Sequence, residues 1–247
     1  MAQRVLIVGA TSAIAAEVAK IYAARGARLH LVARDPHKLE ALIQSLAGAP
    51  VTSSLADFAN LGQIGELVQE AAAALGGFDV VLIAHGKLGD QAETEQSFDA
   101  AEAIFRANLL SVVAFLVPVG NLLEAQHNGT LGVITSVAGD RGRPRNYTYG
   151  AAKGALNIYL QGLRSRLFKV GVKVVTLKLG PVDTPMTVSH TKNALFAQPT
   201  TVAAGIVKAL DVGVPEAYVP GFWGAIMPFV KHAPERVFQV LPFLSGR

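Results

Sequence analysis

Short apolar runs alternate with longer amphipathic segments along almost the entire chain. The apolar runs are rich in Val, Leu and Ile and predict buried strands, while the segments between them place apolar residues at helical spacing. This pattern predicts strands at residues 4–8, 28–33, 51–54, 79–84, 132–136, 173–179 and 217–219. It predicts helices at residues 13–25, 36–47, 61–75, 97–106, 108–126, 149–169 and 201–210.

The alternation of strands and helices indicates the fold class. Strands that are joined by helices form a parallel sheet with right-handed crossovers, so we expect an α/β, doubly wound fold. Such sheets bind ligands at the carboxyl ends of their strands, where Gly9, Ala33, Ala84, Ser136 and Leu179 lie. We predict a binding and catalytic domain over residues 1–221 and an amphipathic C-terminal extension over residues 222–247.

Composition excludes several classes of function. The chain has 247 residues, of which 51% are hydrophobic, enough for a full core. A net charge of +4 without a basic run argues against a nucleic-acid partner. The chain lacks cysteine and its histidines lack ligand spacing, so no metal site is predicted. The early first strand and the absence of an apolar stretch of about 18 residues predict a cytoplasmic protein without a signal peptide or spanning helix.

A glycine turn joins the first predicted strand to the first helix. Backbone amides in such a turn and the positive end of the helix can face a pyrophosphate, which is typical of a dinucleotide site. Two fingerprint glycines are replaced by Ala13 and Ala15, which would matter where positive φ is required. An ordinary tight strand–helix turn remains the alternative. The candidate cofactor residues in this turn are Gly9, Thr11, Ser12, Ala13 and Ile14.

Three side chains suited to proton transfer are spaced to meet at one edge of the sheet. Ser136 ends a predicted strand, and Tyr149 and Lys153 lie one turn apart on one face of a predicted helix. An ammonium near a phenol favours phenolate and lowers its pKa, so the tyrosine becomes a usable acid and base. A lone pair of this kind usually belongs to surface packing, but the glycine turn favours catalysis here.

With Asn108 upstream, these residues resemble the catalytic tetrad of the short-chain dehydrogenase/reductase family, and the resemblance covers almost the whole chain. It implies a Rossmann fold with Tyr149 as general acid/base and Ser136 orienting the substrate carbonyl. Lys153 would hold the nicotinamide ribose and lower the tyrosine pKa, while Asn108 would support a proton-relay water. Tyr147 does not fit this role, because no lysine follows it four residues later.

The same resemblance assigns further cofactor contacts. Asp57 matches the family's adenine contact, and Thr184 would contact the carboxamide from a turn that also contains Val182. Where the family has Asn-Asn-Ala-Gly after the fourth strand, this chain has Ile-Ala-His-Gly at residues 83–86. Ala84 and Gly86 are therefore expected near the cofactor, with a loop geometry that differs from the family's.

The end of the second strand predicts the choice of cofactor. Sites that prefer NAD(H) place an acid there, whereas a 2′-phosphate requires a cation. In this chain Ala33 takes the acid's usual position and Arg34 follows, so NADP(H) is favoured over NAD(H). Asp35 weakens the argument slightly, although it also suits the cap of the next helix. The alternative is that Arg34 is simply exposed.

Two stretches, residues 136–150 and 219–242, are similar to a narrower group, the ketoreductase component of decaprenylphosphoryl-ribose 2-epimerase. That resemblance implies a small-molecule or lipid-linked carbonyl substrate, here a keto-sugar on a lipid phosphate. The similarity also fits a subgroup of reductases with other substrates. Three loop arginines, Arg141, Arg143 and Arg145, either clamp an anion or form a solvated loop, and residues 183–199 resemble a mobile lid.

The predicted tail has an amphipathic pattern. Phe222, Ile226, Phe229 and Val230 form one predicted apolar stripe beside basic residues, which suits peripheral contact with the inner face of a membrane. The alternative is an extra helix packed on its own domain or on a partner subunit. A second stripe is predicted at Val237, Leu241 and Leu244.

The sequence as a whole favours an NADP(H)-dependent oxidoreductase acting on a carbonyl or secondary alcohol. The alternative is a catalytically silent dinucleotide-binding sensor or scaffold. The predicted helix at 108–126 is apolar nearly all round, so it needs cover on two sides. Together with the family's paired helices, this predicts a homodimer or homotetramer.

Overall fold

A computed structural model describes residues 2–46, 48–188 and 191–241. It contains a seven-stranded sheet in the order β3-β2-β1-β4-β5-β6-β7, and every neighbouring pair is parallel. This confirms the predicted doubly wound fold, and each strand lies within about two residues of its predicted position. The strands are β1 Arg4–Val8, β2 Arg28–Ala33, β3 Val51–Leu55, β4 Val80–Ile83, β5 Thr130–Ser136, β6 Lys173–Leu179 and β7 Glu216–Val219.

The helices agree with the prediction except in three places. The polar segment α4 and the tail helices α9 and α10 are additional, and the two predicted helices on either side of residue 107 are joined by a π-helical turn, Arg106–Leu110. The predicted end of α2, Ala47, lies outside the described residues. The helices are α1 Ala13–Ala24, α2 Pro36–Ser45, α3 Ile64–Leu75, α4 Gln91–Gln96, α5 Phe98–Phe105, α6 Ser111–Gln126, α7 Tyr147–Leu167, α8 Pro199–Val212, α9 Trp223–His232 and α10 Glu235–Val240.

Helices cover both faces of the sheet and bury two cores. On one face α1, α2 and α8 pack over alternate strand residues such as Val5, Leu29 and Leu177. On the other face α3, α6 and α7 cover the intervening residues, such as Leu6 and Leu131. Since each strand is buried on both sides, its sequence is a nearly continuous apolar run. That property made the strands predictable.

One continuous helical run, Phe98–Gln126, is long and apolar enough to cross a membrane, with a mean hydropathy of 1.8. The sequence predicted no such segment, because no uninterrupted apolar stretch reaches about 18 residues and the run was predicted as two helices separated at residue 107. Within the run, Val112, Phe115 and Leu116 are buried against the sheet. A core helix passes the same test of length and composition, and these contacts are those of a core helix.

The tail packs against the main body through α9 and α10. Trp223, Met227, Val230 and Phe238 form a third apolar cluster with Val137, the residue after Ser136. The predicted stripe was therefore wrong in one member: Val230 is buried with Trp223, whereas its three predicted companions are exposed. In the second predicted stripe, Leu244 lies outside the described residues. The exposed companions are Phe222, Ile226 and Phe229.

Candidate active site

Ser136 and Tyr149 lie together at the carboxyl end of β5. Ser136 ends the strand, and its Oγ accepts a hydrogen bond of 3.1 Å from the amide of Ala138, which closes the next turn. Tyr149 lies in the first turn of α7, with its phenol near enough to Ser136 for the serine to affect the phenol's pKa. A carbonyl oxygen bound at this edge would therefore meet two hydroxyl groups.

Glycines bring α7 against the turn that follows β5. A Cβ added at Gly150 would lie 2.7 Å from the carbonyl oxygen of Ala138. One added at Gly154 would lie 3.0 Å from the carbonyl oxygen of Gly139. Helix and turn are thus in backbone contact, which a larger side chain would prevent. This contact fixes the tyrosine phenol relative to the serine hydroxyl.

The additional helix α4 holds the beginning of α7. The Oε1 atom of Gln91 accepts a hydrogen bond of 3.0 Å from the amide of Thr148, and the hydroxyls of Thr94 and Thr148 are 3.0 Å apart. The N-cap residue Asn146 makes no side-chain capping bond. Gln91 therefore supplies the acceptor that a helix N-terminus requires. The sequence carried no signal for this contact, because residues 91–96 lack an apolar stripe.

Lys153 is buried one turn after Tyr149. Its Nζ donates a 3.0 Å hydrogen bond to the carbonyl of Ile134 and lies 5.8 Å from the centre of the Tyr149 ring. Burial lowers the pKa of Lys153 to about 8. Burial also raises the pKa of Tyr149 to about 12, against the lowering effect of the nearby Ser136. The pKa of the phenol is therefore shifted by desolvation in the direction opposite to the lowering expected from Lys153.

Asn108 lies fully buried in the π-helical turn. Its Nδ2 donates to the carbonyls of Lys87 at 2.7 Å and Ile104 at 2.9 Å, and its Oδ1 accepts from the amide of Lys87 at 3.0 Å. The side chain therefore binds the loop after β4 to the helix. Isolated π-helical turns are frequent at functional sites, and this one brings Asn108 beside Gly86.

The glycine turn fits the phosphates of a dinucleotide. Gly9 has a φ of +77°, and a Cβ at this position would lie 2.8 Å from the amide nitrogen of His85. Ser12 caps α1, because its Oγ accepts a hydrogen bond of 3.2 Å from the amide of Ala15. Thr11 is half-buried. Ala13 and Ile14 form the first helical turn. Positions 13 and 15 have ordinary negative φ values, so alanine replaces glycine there without backbone strain.

The other predicted cofactor positions lie along the same edge of the sheet. Ala84 follows β4 and donates its amide to the carbonyl of Val8 at 2.9 Å. A Cβ at Gly86 would lie 2.7 Å from Asn108 Oδ1 and 3.5 Å from Lys153 Nζ, so this position also needs glycine. The loop after β4 is thus in contact with two members of the predicted tetrad.

The remaining predicted contacts occupy turns around this edge. Arg34 is exposed and forms no ion pair within the described ranges, while Asp35 caps α2 by accepting 3.1 Å from the amide of Lys38. The Oδ1 atom of Asp57 accepts a hydrogen bond of 2.9 Å from the amide of Ala59 in the same turn. Beyond β6, two predicted residues form the base of the 183–199 segment. Val182 bridges to Ala197, and Thr184 caps the 3₁₀ turn Pro185–Thr187.

His85 is a buried residue that the sequence analysis did not place in the site. Its Nε2 lies 2.9 Å from the hydroxyl of Ser111, which donates to the carbonyl of Ala107 at 2.9 Å in the π-helical turn. The ring packs against Phe58 with centroids 4.4 Å apart. Burial, aided by the charges of nearby cations, lowers the pKa of His85 to about 3. The histidine at a position where the family has alanine was the available signal.

A buried charge cluster supports the turn after Ser136. Lys178, on β6, lies 2.8 Å from Asp140 and 3.0 Å from Glu216. The hydroxyl of Tyr218 donates to Asp140 at 2.6 Å. The lysine and the aspartate side chains are 5% and 3% exposed, so the buried aspartate depends on the lysine for compensation, while the lysine has two carboxylate partners. A lysine in the otherwise apolar run of β6 was the sequence signal for this cluster.

The three loop arginines do not form one clamp. Arg141 donates to the carbonyls of Val230 and Lys231 at 3.0 and 3.2 Å and to Glu235 at 2.8 Å. Its guanidinium also lies 3.9 Å from the centre of the Phe238 ring. Arg141 therefore anchors the tail. In the described part of the chain, no group of three or more His, Cys, Asp or Glu side chains is placed to hold a metal ion.

Comparison with known sequences identifies relatives over most of the chain. The short chain dehydrogenase family matches residues 3–195. An uncharacterised oxidoreductase in the mprA 5′ region of Streptomyces coelicolor is 34% identical over 243 residues, covering 96% of this chain and 94% of that protein. An uncharacterised oxidoreductase of Mycobacterium tuberculosis is 31% identical over 241 residues, covering 96% of each chain.

Solved structures share the fold at lower identity. A short chain dehydrogenase from Burkholderia cenocepacia in complex with NADP has a TM-score of 0.84 at 18% identity, covering 97% of each chain. Levodione reductase has a TM-score of 0.81 at 23% identity, covering 90% of this chain and 98% of its own. Actinorhodin polyketide ketoreductase with NADPH has a TM-score of 0.80 at 23% identity, covering 90% of this chain and 97% of its own. The family match and the two full-length relatives show that this chain belongs to the short chain dehydrogenase family of oxidoreductases.

Proposed function

We propose that the protein is an NADP(H)-dependent reductase that interconverts a carbonyl group and a secondary alcohol. The observation that carries this proposal is the proximity of Tyr149 and Ser136 at the end of β5, with Lys153 one turn away. In the reducing direction, Tyr149 gives its proton to the carbonyl oxygen while Ser136 orients that oxygen. A nicotinamide dinucleotide bound at the glycine turn supplies the hydride.

Lys153 and Asn108 have supporting roles in this proposal. The Lys153 ammonium favours the phenolate that remains after proton transfer, and its closeness to Gly86, a predicted cofactor residue, supports a contact with the cofactor. The Asn108 side chain is fully engaged with backbone groups of Lys87 and Ile104. It therefore acts by fixing the loop that borders the nicotinamide region rather than through a free amide.

The preference for NADP(H) rests on Arg34. Its exposed guanidinium follows β2, where Ala33 leaves no carboxylate to bind a ribose 2′-hydroxyl. The adjacent Asp35 caps α2 and forms no ion pair with Arg34 in the part of the chain that the structure describes. Two structures with the same fold were solved with NADPH or NADP, which supports this cofactor class.

Replacement of Tyr149 by phenylalanine tests the catalytic proposal. The variant keeps the ring but has no proton to transfer, so we expect ketone reduction to fall by about 10²- to 10⁴-fold with NADPH binding retained. Tyr147→Phe is the matched control, because Tyr147 is 47% exposed and lies two positions earlier in the same helix. Equal rates in both variants would contradict the role of Tyr149. NADPH binding without turnover of any ketone would favour the sensor or scaffold.

We propose a keto-sugar on a lipid phosphate as the substrate, with the protein in the cytoplasm and peripheral to the inner face of a membrane. The resemblance of residues 136–150 and 219–242 to a ketoreductase that acts on a lipid-linked sugar supports this substrate. The exposed side of α9, with Phe229 at 78% exposure, supports contact with a lipid surface. The buried side of α9 is packed on the protein, so only one face is available for such contact.

We also propose that α6 and α7 pair with a second copy to form a homodimer or homotetramer. Along these helices Val117 and Ile158 are 48% and 71% exposed, and Leu110 in the preceding turn is 44% exposed. Such a row of apolar side chains suits a self-complementary interface. Light scattering at micromolar concentration should give at least twice the chain mass of 25.9 kDa. A monomer mass would contradict the pairing.

A further inference from the structure

Arg143 carries a guanidinium that forms no ion pair with the described residues. Its Nε is buried without a hydrogen-bond partner, and its Nη2 contacts the sulfur of Met227 at 3.9 Å. No carboxylate in residues 2–46, 48–188 and 191–241 forms an ion pair with it. The remaining residues of the chain include no aspartate or glutamate. A half-buried cation without compensation is costly to the fold, so it calls for an explanation.

The nearby carboxylate does not supply that compensation. The charge of Asp140 acts on Arg143 from a distance, but its Oδ1 lies 2.8 Å from the ammonium of Lys178 and its Oδ2 accepts from the hydroxyl of Tyr218 at 2.6 Å. Desolvation and the charge of Arg145 lower the pKa of the Arg143 side chain, which is the direction expected for a cation in an unfavourable environment.

Arg141, two residues earlier, provides a contrast within the same loop. Its guanidinium is saturated by tail carbonyls, by Glu235 and by the face of Phe238. The loop can therefore satisfy a guanidinium where its function is structural. Arg143 is left without such partners a few ångströms from the same tail helix. A purely structural role explains Arg141 but not Arg143.

The position of Arg143 indicates which ligand would meet it. The loop begins at Ser136 and ends at Tyr149, the two residues that face the reacting carbonyl. Met227, which contacts Arg143, packs with Val137 directly after Ser136. The glycine turn and Arg34 lie at the β1–β2 side of the sheet, away from this loop. An anion bound by Arg143 would thus belong to the substrate rather than to the phosphates of the dinucleotide.

We propose that Arg143 binds an anionic group, a phosphate or a carboxylate, carried by the carbonyl substrate. A planar guanidinium can donate two parallel hydrogen bonds to either anion, and the apolar wall formed by Met227 would strengthen them by excluding water. This inference rests on the proposed carbonyl reductase function and adds a specificity residue to it. Arg143 is not required for proton transfer, so neutral ketones should remain substrates without it.

Anion binding by Arg143 can be measured without any turnover. Protein saturated with NADP⁺ is titrated calorimetrically with phenyl phosphate, geranyl phosphate, benzoate and the neutral analogue phenol. Arg143→Gln removes the charge and Arg143→Lys keeps it without the planar fork, while Arg236→Gln removes an exposed charge from α10 as the matched control. We expect at least one anion to bind the wild type about 10- to 100-fold more tightly than Arg143→Gln, the effect of one lost charge-assisted hydrogen bond. Arg143→Lys should be intermediate, and Arg236→Gln should match the wild type.

The same variants separate a ligand-binding role from a structural one. Loss of an uncompensated cation should leave the melting temperature of the ligand-free protein unchanged or higher in Arg143→Gln, whereas loss of a structural contact would lower it. Equal anion binding in wild type and Arg143→Gln, or no binding of any of the three anions, would overturn the proposal. Tighter binding of geranyl phosphate than of phenyl phosphate would identify a lipid phosphate as the source, and preference for benzoate a carboxylate. Reduction of a neutral ketone, measured in parallel, tests the reductase function separately.

Discussion

Around Gly9 the site is shaped by backbone groups, whereas beyond Ser136 it is held by charged side chains. The amides of Gly9 and Ala10 both donate to the carbonyl of Val32, at 2.8 and 3.0 Å. At the β5–β7 end of the sheet, the buried Lys178 binds two carboxylates. Arg141, in the loop after β5, binds the tail. The first arrangement depends on the main chain and on small residues that allow its close approach. The second builds a wall from side chains that can vary with the substrate.

If the proposed function is correct, this difference predicts that substrate specificity depends on the half of the sheet formed by β5, β6 and β7. Backbone contacts depend on small residues at a few positions, so they tolerate little change. A wall of charged side chains can be altered one residue at a time, provided each buried charge keeps its partner. The following predictions test whether the two halves depend on different forces.

The largest effect is expected from breaking the buried charge cluster. Asp140→Ala leaves the ammonium of Lys178 buried with Glu216 as its remaining partner, and should reduce the free energy of unfolding by about 3–5 kcal/mol. Asp211→Ala is the matched control, since its pair with Arg25 is 39–45% exposed and should contribute about 0–1 kcal/mol. Urea unfolding of both variants measures the difference. Similar small losses would show that the substrate half does not depend on this cluster.

The next prediction concerns recognition of the cofactor by Arg34, a charged side chain in the backbone-shaped half. Arg34→Ala should weaken NADPH binding by about 1.5–3 kcal/mol, the value of a charge-assisted hydrogen bond, and leave NADH binding nearly unchanged. Fluorescence titration with both cofactors gives the two dissociation constants. An equal change for NADH and NADPH would show that Arg34 does not contact the 2′-phosphate.

The sequence predicted the sheet and the positions of the site residues more completely than the electrostatics of the site. Buried parallel strands have near-continuous apolar runs, so their ends located Ser136 and Gly9. The polar α4 carried no periodicity, and the burial of Val230 depended on which side of α9 meets Val137. The pKa of Tyr149 depends on surrounding protein that no local motif encodes. Pairing of Lys178 with Asp140 joins distant parts of the chain, so only the fold reveals it.

A third, smaller effect concerns the buried histidine that connects the two halves. The folded-state pKa of His85 is about 3, below the ordinary value of 6.5. Below pH 6.5 the unfolded chain gains a proton that the folded protein excludes, so stability is present above this pH and falls as the pH drops towards 3. The loss is about 1.4 kcal/mol per pH unit. His85→Gln can still donate to Ser111 but does not titrate, so its stability should fall less steeply between pH 6.5 and 5. Identical slopes for variant and wild type in urea unfolding would contradict a neutral buried His85.

The smallest effect on stability is expected on the exposed side of the tail. Replacing Phe222, Ile226 and Phe229 together by serine removes apolar surface that is 44%, 37% and 78% exposed. Each exposed substitution typically changes stability by within about 0.5 kcal/mol, so the fold and the reduction of a soluble ketone should be retained.

If this surface contacts lipid, the triple variant should lose sedimentation with vesicles that contain anionic lipid and should lose activity on a lipid-linked carbonyl. Trp223→Ala is the contrasting variant, because its indole is buried against Gly180 and Val137. It should destabilise the fold and reduce activity on both substrates together. Unchanged vesicle binding in the triple variant would remove the support for a membrane contact and leave α9 as a structural wall of the substrate half.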